Sequence, residues 1–117
     1  FALPHWALRL FGKPSRASLS YEEVVTLYQE KLRMGAKASL PYIPSRKNQG
    51  NKEKQMEKML TGYKRLQINL KPWPDALLDR YFLPHPILGR ITLREMICFT
   101  IYHIQHHHLI IRQRYTL

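Results

Sequence analysis

The residues with the clearest chemical potential are histidines near the end of the chain. Four of the six histidines fall within the run from His103 to His108. At about 100° per residue around a helix, His103 and His107 lie about 40° apart, on one helical face. Imidazole is the commonest metal-binding side chain in proteins. The i, i+4 spacing therefore makes His103 and His107 a candidate pair of ligands for one divalent metal ion.

The helical face that carries this pair is apolar. Met96 and Ile111 lie beside the two histidines around the helix, whereas Arg94 and Arg112 project from the opposite side. Burying two imidazole rings without partners is costly, because each ring keeps a polar nitrogen. Two interpretations stay open. Either a metal ion takes one nitrogen from each ring, or the buried histidines hydrogen-bond to other side chains or to water.

The pair alone does not complete a catalytic metal site, which usually has three protein ligands and one open position. His85 is a further candidate within the chain. It lies between two prolines, so the competing interpretation is a turn histidine that hydrogen-bonds to the backbone. His106 and His108 flank the apolar face and are expected at the surface or in support of the ligands. His5 is expected at the surface or in packing.

Helices must position these histidines. Ser20 with Glu23, and Thr92 with Glu95, each match a capping box, and Asn51 is a third candidate cap. We find no convincing strand, so the predicted fold class is all-α. The predicted elements are a short helix after Pro4, helices over 21–34, 51–70 and 92–113, one or two helical turns over 75–81, a loop over 36–50 and a proline-bracketed turn over 83–90.

Two of these helices carry apolar stripes, which indicate sides that pack into a core. In the helix over 21–34, the stripe comprises Val24, Leu27, Tyr28 and Leu32. In the helix over 51–70, it comprises Met56, Met59, Leu60, Tyr63, Leu66 and Leu70. The lysines of this second helix are expected to lie in water.

Length and composition indicate one ordered domain of 117 residues. Apolar residues make up 44%, which excludes wholesale disorder despite a net charge of +11. No run approaches the ~18 apolar residues that indicate a membrane span, so no membrane partner is predicted. The single cysteine, Cys98, excludes an intrachain disulfide and is typical of a reducing cytoplasm.

The positive charge is concentrated in the middle of the chain. Residues 31–71 contain eleven basic and two acidic side chains. A solvated loop and an exposed helix face account for this pattern. Phosphate binding is the more specific functional alternative. Tyr42 and Tyr63 offer rings that can stack on bases, but the segment has no helix-turn-helix, zinc-finger or RNP-type motif. Nucleic-acid binding is therefore the third of three functional hypotheses.

Two stretches of the chain form a longer motif. The first is LPHPILGRITLREM, from Leu83 to Met96, and the second is HIQHH, from His103 to His107. Together they resemble the C-terminal part of the DinB-like superfamily of helical bundles. The turn from Leu10 to Pro14 and the helix start at Tyr21 are similar to one branch of that family, so the resemblance covers essentially the whole chain.

The resemblance implies that residues 1–117 form a single DinB-like domain, an antiparallel four-helix bundle. It also implies a divalent metal, often nickel or zinc, held by three histidines. His103 and His107 match the H-x-x-x-H part of that set. No position here matches the third ligand, which we expect upstream of Phe1, with His85 as the candidate inside the chain. The chain begins with Phe, so we expect an N-terminally truncated domain.

The leading hypothesis is therefore a DinB-like metal-binding protein of the cytoplasm, acting as a metal- and thiol-dependent transferase or hydrolase. Its cofactors would be the metal and a low-molecular-weight thiol, because a bound metal lowers the pKa of a thiol and makes it a nucleophile. The alternative is a non-enzymatic helical module that binds a partner through its basic surface or an apolar helix face. Exposed apolar faces would also favour a homodimer.

Overall fold

The computed structural model describes residues 5–43 and 51–115. These ranges are mostly helical, with four helices and one two-stranded sheet. No helix within them is both long and apolar enough to cross a membrane. In chain order the elements are α1 (His5–Leu8), α2 (Tyr21–Arg33), α3 (Lys52–Leu70), β1 (Phe82–His85), β2 (Gly89–Thr92) and α4 (Leu93–Tyr115), with short 3₁₀ turns at Arg9–Phe11, Leu40–Tyr42 and Asp75–Asp79.

The helix boundaries follow local capping. The Ser20 hydroxyl accepts a hydrogen bond from the Glu23 amide, and the Glu23 carboxylate accepts one from the Ser20 amide. At the start of α3, the Asn51 side chain accepts a hydrogen bond from the Glu53 amide at 2.9 Å. After α2, Gly35 takes a φ of +89°, a conformation that favours glycine. The predicted starts and ends of α2 and α3 are therefore confirmed.

The expectation of a chain without strands is wrong for residues 82–92. β1 and β2 pair antiparallel, with Leu83 opposite Ile91 and His85 opposite Gly89. Three residues connect the strands, and Gly89, the first residue of β2, has a φ of +74°, a conformation that favours glycine. Pro84 is tolerated because both strands of a two-stranded sheet are edges. Each strand has only four residues, too few for a clear alternating pattern.

The hairpin joins two small apolar cores. One core gathers Leu8, Tyr81, Leu83 and Leu93, and the other gathers Val24, Tyr28, Leu88 and Ile91. α2 packs against α4 over the second core. The prediction that Val24, Leu27, Tyr28 and Leu32 face inward is confirmed, with Val24 and Tyr28 buried and the other two partly buried.

A buried carboxylate ties the start of α4 to the segment before α2. Glu95 is fully buried, and its carboxylate accepts hydrogen bonds from the backbone amides of Leu19 and Thr92, each at 2.7 Å. Arg16 forms an ion pair with the same carboxylate. The Thr92 hydroxyl accepts from the Glu95 amide, which confirms the predicted capping box of α4. The capping box of α4 is thus also a buried junction between two segments of the fold.

This junction makes stability depend on pH. Burial alone would raise the pKa of Glu95, but the hydrogen bonds from Arg16, Leu19 and Thr92 outweigh burial and hold that pKa below its usual value. The stabilisation from Glu95 is therefore complete above the unfolded pKa, about 4.3, and is lost as pH falls through the lower folded pKa. We expect the free energy of unfolding to fall between pH 5 and pH 3, with a shallower slope for Glu95→Gln. Urea titrations across this range measure both slopes, and equal slopes would contradict the assignment.

The prediction that the α3 stripe packs into a core is wrong. Met56, Met59 and Leu60 are 50%, 50% and 52% exposed, and no residue of α3 is buried. Only the end of the helix reaches the core, where Leu70 contacts the first cluster. Within the described ranges no other helix packs along α3, so the periodic stripe has nothing to cover it. The lysines of α3 are exposed, as expected.

The buried second core and the exposed stripe of α3 predict different mutational costs. Ile91→Ala removes a buried side chain and is expected to lower the free energy of unfolding by about 2–5 kcal/mol. Leu60→Ala removes a half-exposed side chain and is expected to change it by less than about 0.5 kcal/mol. Urea unfolding measures both values. A cost for Leu60→Ala close to that of Ile91→Ala would mean that α3 is covered in solution.

A mostly helical domain is thus confirmed, whereas a wholly α-helical one is not. The antiparallel four-helix bundle stays a prediction, because α1 is a single turn and α3 lies apart from the other helices in the described ranges.

Candidate metal centre

α4 carries three rings at a spacing of four residues. The ring centroids of Phe99 and His103 lie 4.9 Å apart, and those of His103 and His107 lie 4.5 Å apart. The Nε2 atoms of His103 and His107 are separated by 2.8 Å. This is a hydrogen-bond distance, so the two rings hydrogen-bond to each other, as the second interpretation of the pair expects. The same contact brings one nitrogen of each predicted ligand to one point beside α4.

The two histidines have different surroundings. His103 is partly buried and lies against Tyr28 of α2, with ring centroids 5.9 Å apart, whereas His107 is exposed. The Nδ1 atom of His103 is buried and has no hydrogen-bond partner among the described residues. The apolar face predicted for the pair thus covers His103 in part and leaves His107 in contact with solvent.

The environment of His103 favours its neutral form. Burial lowers the pKa of His103, and His107 and His106 lower that pKa further by unfavourable charge interactions. A neutral imidazole offers a lone pair, which is the form that binds metals. The lowered pKa of His103 therefore favours the form of this ring that can bind a metal.

His85 approaches the same region from the hairpin. Its Nδ1 atom accepts hydrogen bonds from the backbone amides of Ile87 and Leu88, at 3.2 and 3.0 Å. The interpretation of His85 as a turn histidine bonded to the backbone is therefore confirmed. Its ring lies edge-on to Phe99 at 4.3 Å. Burial, with a smaller effect from His103, lowers the pKa of His85.

The histidines from the two elements share a cleft of about 740 Å³. The volume falls in the range of small-molecule sites, which are mostly apolar with a few polar groups. The segment that follows α2 closes one side through Lys37, Tyr42 and Ile43. Residues lining the remainder include Tyr28, Leu32, His85, Ile87, Met96, Phe99, His103 and His107.

The backbone bonds of His85 predict a contrast between two substitutions. His85→Phe keeps a ring but leaves the Ile87 and Leu88 amides without their acceptor, so it is expected to cost about 1–3 kcal/mol of unfolding free energy. His85→Asn is expected to cost clearly less, because an Asn oxygen can accept from the amide two residues ahead. Urea unfolding compares the two variants. Equal losses would show that these hydrogen bonds contribute little to stability.

The two remaining histidines of α4 lie beside the pair. His106 is partly buried and stacks on Tyr102, with ring centroids 5.8 Å apart, and His108 is exposed. The side chain of His5 lies outside the described residues.

Cys98 is partly buried against the second core, and burial raises the pKa of its thiol. Cys98 is therefore unsuited to act as a thiolate nucleophile.

Within residues 5–43 and 51–115, no three His, Cys, Asp or Glu side chains are grouped so that they could hold a metal ion. No protein-family model, curated protein or solved structure matches the chain. The candidate centre therefore rests on two histidines and their cleft.

Sequence reasoning missed most of the cleft. The helical pattern does place Phe99, four residues before His103, on the same apolar face as the histidine pair. The stripe of α2 predicts Tyr28 only as a core residue. No periodic pattern in the sequence predicts that residues 36–43 line the cleft. Such a cleft forms between elements distant in sequence, which local patterns do not report.

Proposed function

We propose that this chain binds a divalent metal ion through Nε2 of His103 and Nε2 of His107. The 2.8 Å separation of these atoms is the observation that supports the proposal. The resemblance to the DinB-like family extends it to a metal- and thiol-dependent transferase or hydrolase acting on a small molecule in the cleft. The antiparallel four-helix bundle of that family belongs to the same proposal.

The spacing of the two nitrogens fits a metal ion. Two metal–nitrogen bonds of about 2.0–2.1 Å span about 2.9 Å when they meet at a right angle, and about 3.3 Å at a tetrahedral angle. The observed 2.8 Å is close to the right-angle value. Square-planar and other tetragonal geometries have such angles and are typical of Ni²⁺ and Cu²⁺. Zn²⁺ would need a small rotation of the exposed His107 ring.

The residues around the pair have separate tasks in this proposal. When bound, the metal would lower the pKa of a thiol or water and so provide a nucleophile. Phe99 and Met96 form an apolar wall that excludes water from the bound molecule. Tyr28 packs against His103 and limits the orientations of its ring. The third histidine implied by the resemblance has no counterpart among the described residues.

Equilibrium dialysis followed by elemental analysis tests the metal proposal. The wild-type chain is expected to retain Ni²⁺ or Zn²⁺, and the double variant His103→Ala/His107→Ala is expected to retain neither. Thiol consumption with an added electrophile, measured with and without metal, then tests the transferase part. A wild-type chain that retains no metal would overturn the proposal, and metal binding without a metal-dependent rate would limit it to binding.

A second candidate function is a helical binding module without catalysis. The exposed apolar stripe of α3 favours it, because most helical stability in proteins comes from packing an amphipathic face against a partner. A second copy of the chain is the partner that the sequence favours, and nucleic acid is the less favoured one. Sedimentation would detect a homodimer. Nucleic-acid binding through residues 31–71 predicts an affinity that falls steeply with salt.

A further inference from the structure

We propose that His85 binds the ligand of the cleft by donating a hydrogen bond from Nε2 to an acceptor oxygen, and that it is not a metal ligand. The ligand class is a small carboxylate with an apolar body. The inference rests on the proposed function in one respect only, namely that one end of the ligand lies at the metal ion.

The backbone selects one tautomer of His85. Its Nδ1 accepts hydrogen bonds from two amides, those of Ile87 and Leu88, so Nδ1 does not carry the proton of the neutral ring. The proton is therefore on Nε2, which is then a donor. Metal ligation through Nε2 would require that proton to move to Nδ1 and would break both backbone hydrogen bonds. The hairpin thus keeps a proton on Nε2 of His85, and a protonated Nε2 donates a hydrogen bond but does not bind a metal ion.

The position of His85 suits contact with a ligand. Its ring and the His103 ring lie against the same Phe99 side chain, with centroid distances of 4.3 and 4.9 Å. All three rings line the one cleft. None of the described residues accepts a hydrogen bond from Nε2 of His85, so this donor remains for a bound molecule.

The lining of the cleft indicates the rest of the ligand. Leu32, Ile87 and Met96 offer an apolar surface, and the volume of about 740 Å³ suits a small organic molecule. Lys37 also lines the cleft and is the one Lys or Arg among its described lining residues. A donor from His85 together with this charge favours a carboxylate over a neutral carbonyl. A carboxylate with an apolar body therefore matches the lining of the cleft.

Two measurements on the full chain test the inference. Long-range ¹H–¹⁵N spectra of the imidazoles, recorded without metal at neutral pH, are expected to show His85 protonated at Nε2 and bare at Nδ1. Binding is then measured with 3-phenylpropionate and with 3-phenylpropylamine, which has the same apolar body but no oxygen. His85→Asn is the matched variant. The Asn side chain keeps an acceptor for the backbone amides, but it is too short to replace the Nε2 donor that contacts the ligand.

We expect His85→Asn to weaken 3-phenylpropionate binding about tenfold, the equivalent of one lost hydrogen bond, and to leave the amine unaffected. A proton on Nδ1, unchanged carboxylate affinity in His85→Asn, or no carboxylate binding by the wild type would each overturn the inference. Each titration is repeated with and without Ni²⁺. Carboxylate binding that depends on His85, in a chain that binds neither Ni²⁺ nor Zn²⁺, would support this inference while overturning the proposed metal function.

Discussion

Glu95→Ala is expected to lower the free energy of unfolding by about 3–5 kcal/mol, a large fraction of the 5–15 kcal/mol typical of a domain. The variant removes the acceptor of the Leu19 and Thr92 amides and the ion-pair partner of Arg16. Each buried amide left without a partner costs about 1–3 kcal/mol. Arg16 is partly exposed, so water can hydrate its charge, and most of the loss is expected from the two amides.

The chain contains a matched control for this substitution. Glu23 occupies the same capping-box position in α2, but it is exposed and its carboxylate accepts from one backbone amide, that of Ser20. Glu23→Ala is expected to cost about 1 kcal/mol, a typical value for the loss of a cap. Urea unfolding at pH 7 measures both variants. Similar costs would contradict the assignment of Glu95 as a buried junction, because burial is what separates the two sites.

The second large effect is expected on metal affinity. His103→Ala and His107→Ala should each weaken Ni²⁺ binding by more than about 100-fold, since even residues that only support a ligand cost 10–100-fold when lost. In the proposed function both rings bind the same ion, because their Nε2 atoms lie 2.8 Å apart. Isothermal titration at pH 7 measures the two affinities against that of the wild type.

His107→Ala gives the cleaner test of this prediction, because His107 is exposed and its loss leaves no buried cavity. His108→Ala is the control, since it removes an exposed imidazole one residue further along α4. His108→Ala is expected to retain affinity within about twofold, a difference of less than 0.5 kcal/mol. A loss as large in His108→Ala as in His107→Ala would indicate diffuse binding to a histidine-rich helix instead of a defined pair.

Local features of this chain were predictable from sequence. The starts of α2, α3 and α4 follow from Ser20, Asn51 and Thr92, because a cap bonds to amides two or three residues away. The meeting of His103 and His107 follows equally from the four-residue spacing within one helix. Both outcomes depend on contacts within a single turn, so the surrounding fold had little influence on them.

The environment of the same residues was decided by tertiary structure. The stripes of α2 and α3 have similar patterns, yet Val24 is buried and Met59 is half exposed, because α4 covers α2 and no described helix covers α3. Glu23 and Glu95 likewise occupy the same motif, one exposed and the other fully buried. Hydrophobic periodicity indicates which side of a helix prefers a partner, but the partner itself comes from a distant segment.

The candidate site combines both kinds of information. The sequence by itself determined the histidine pair and the helix that holds it. Only the tertiary structure brought His85 to the other side of Phe99 and set its donor nitrogen through two backbone amides of the hairpin. The physical reason is the separation along the chain over which each kind of contact acts. Capping and i, i+4 contacts act within about 6 Å along one element, whereas a cleft requires elements far apart in sequence to meet.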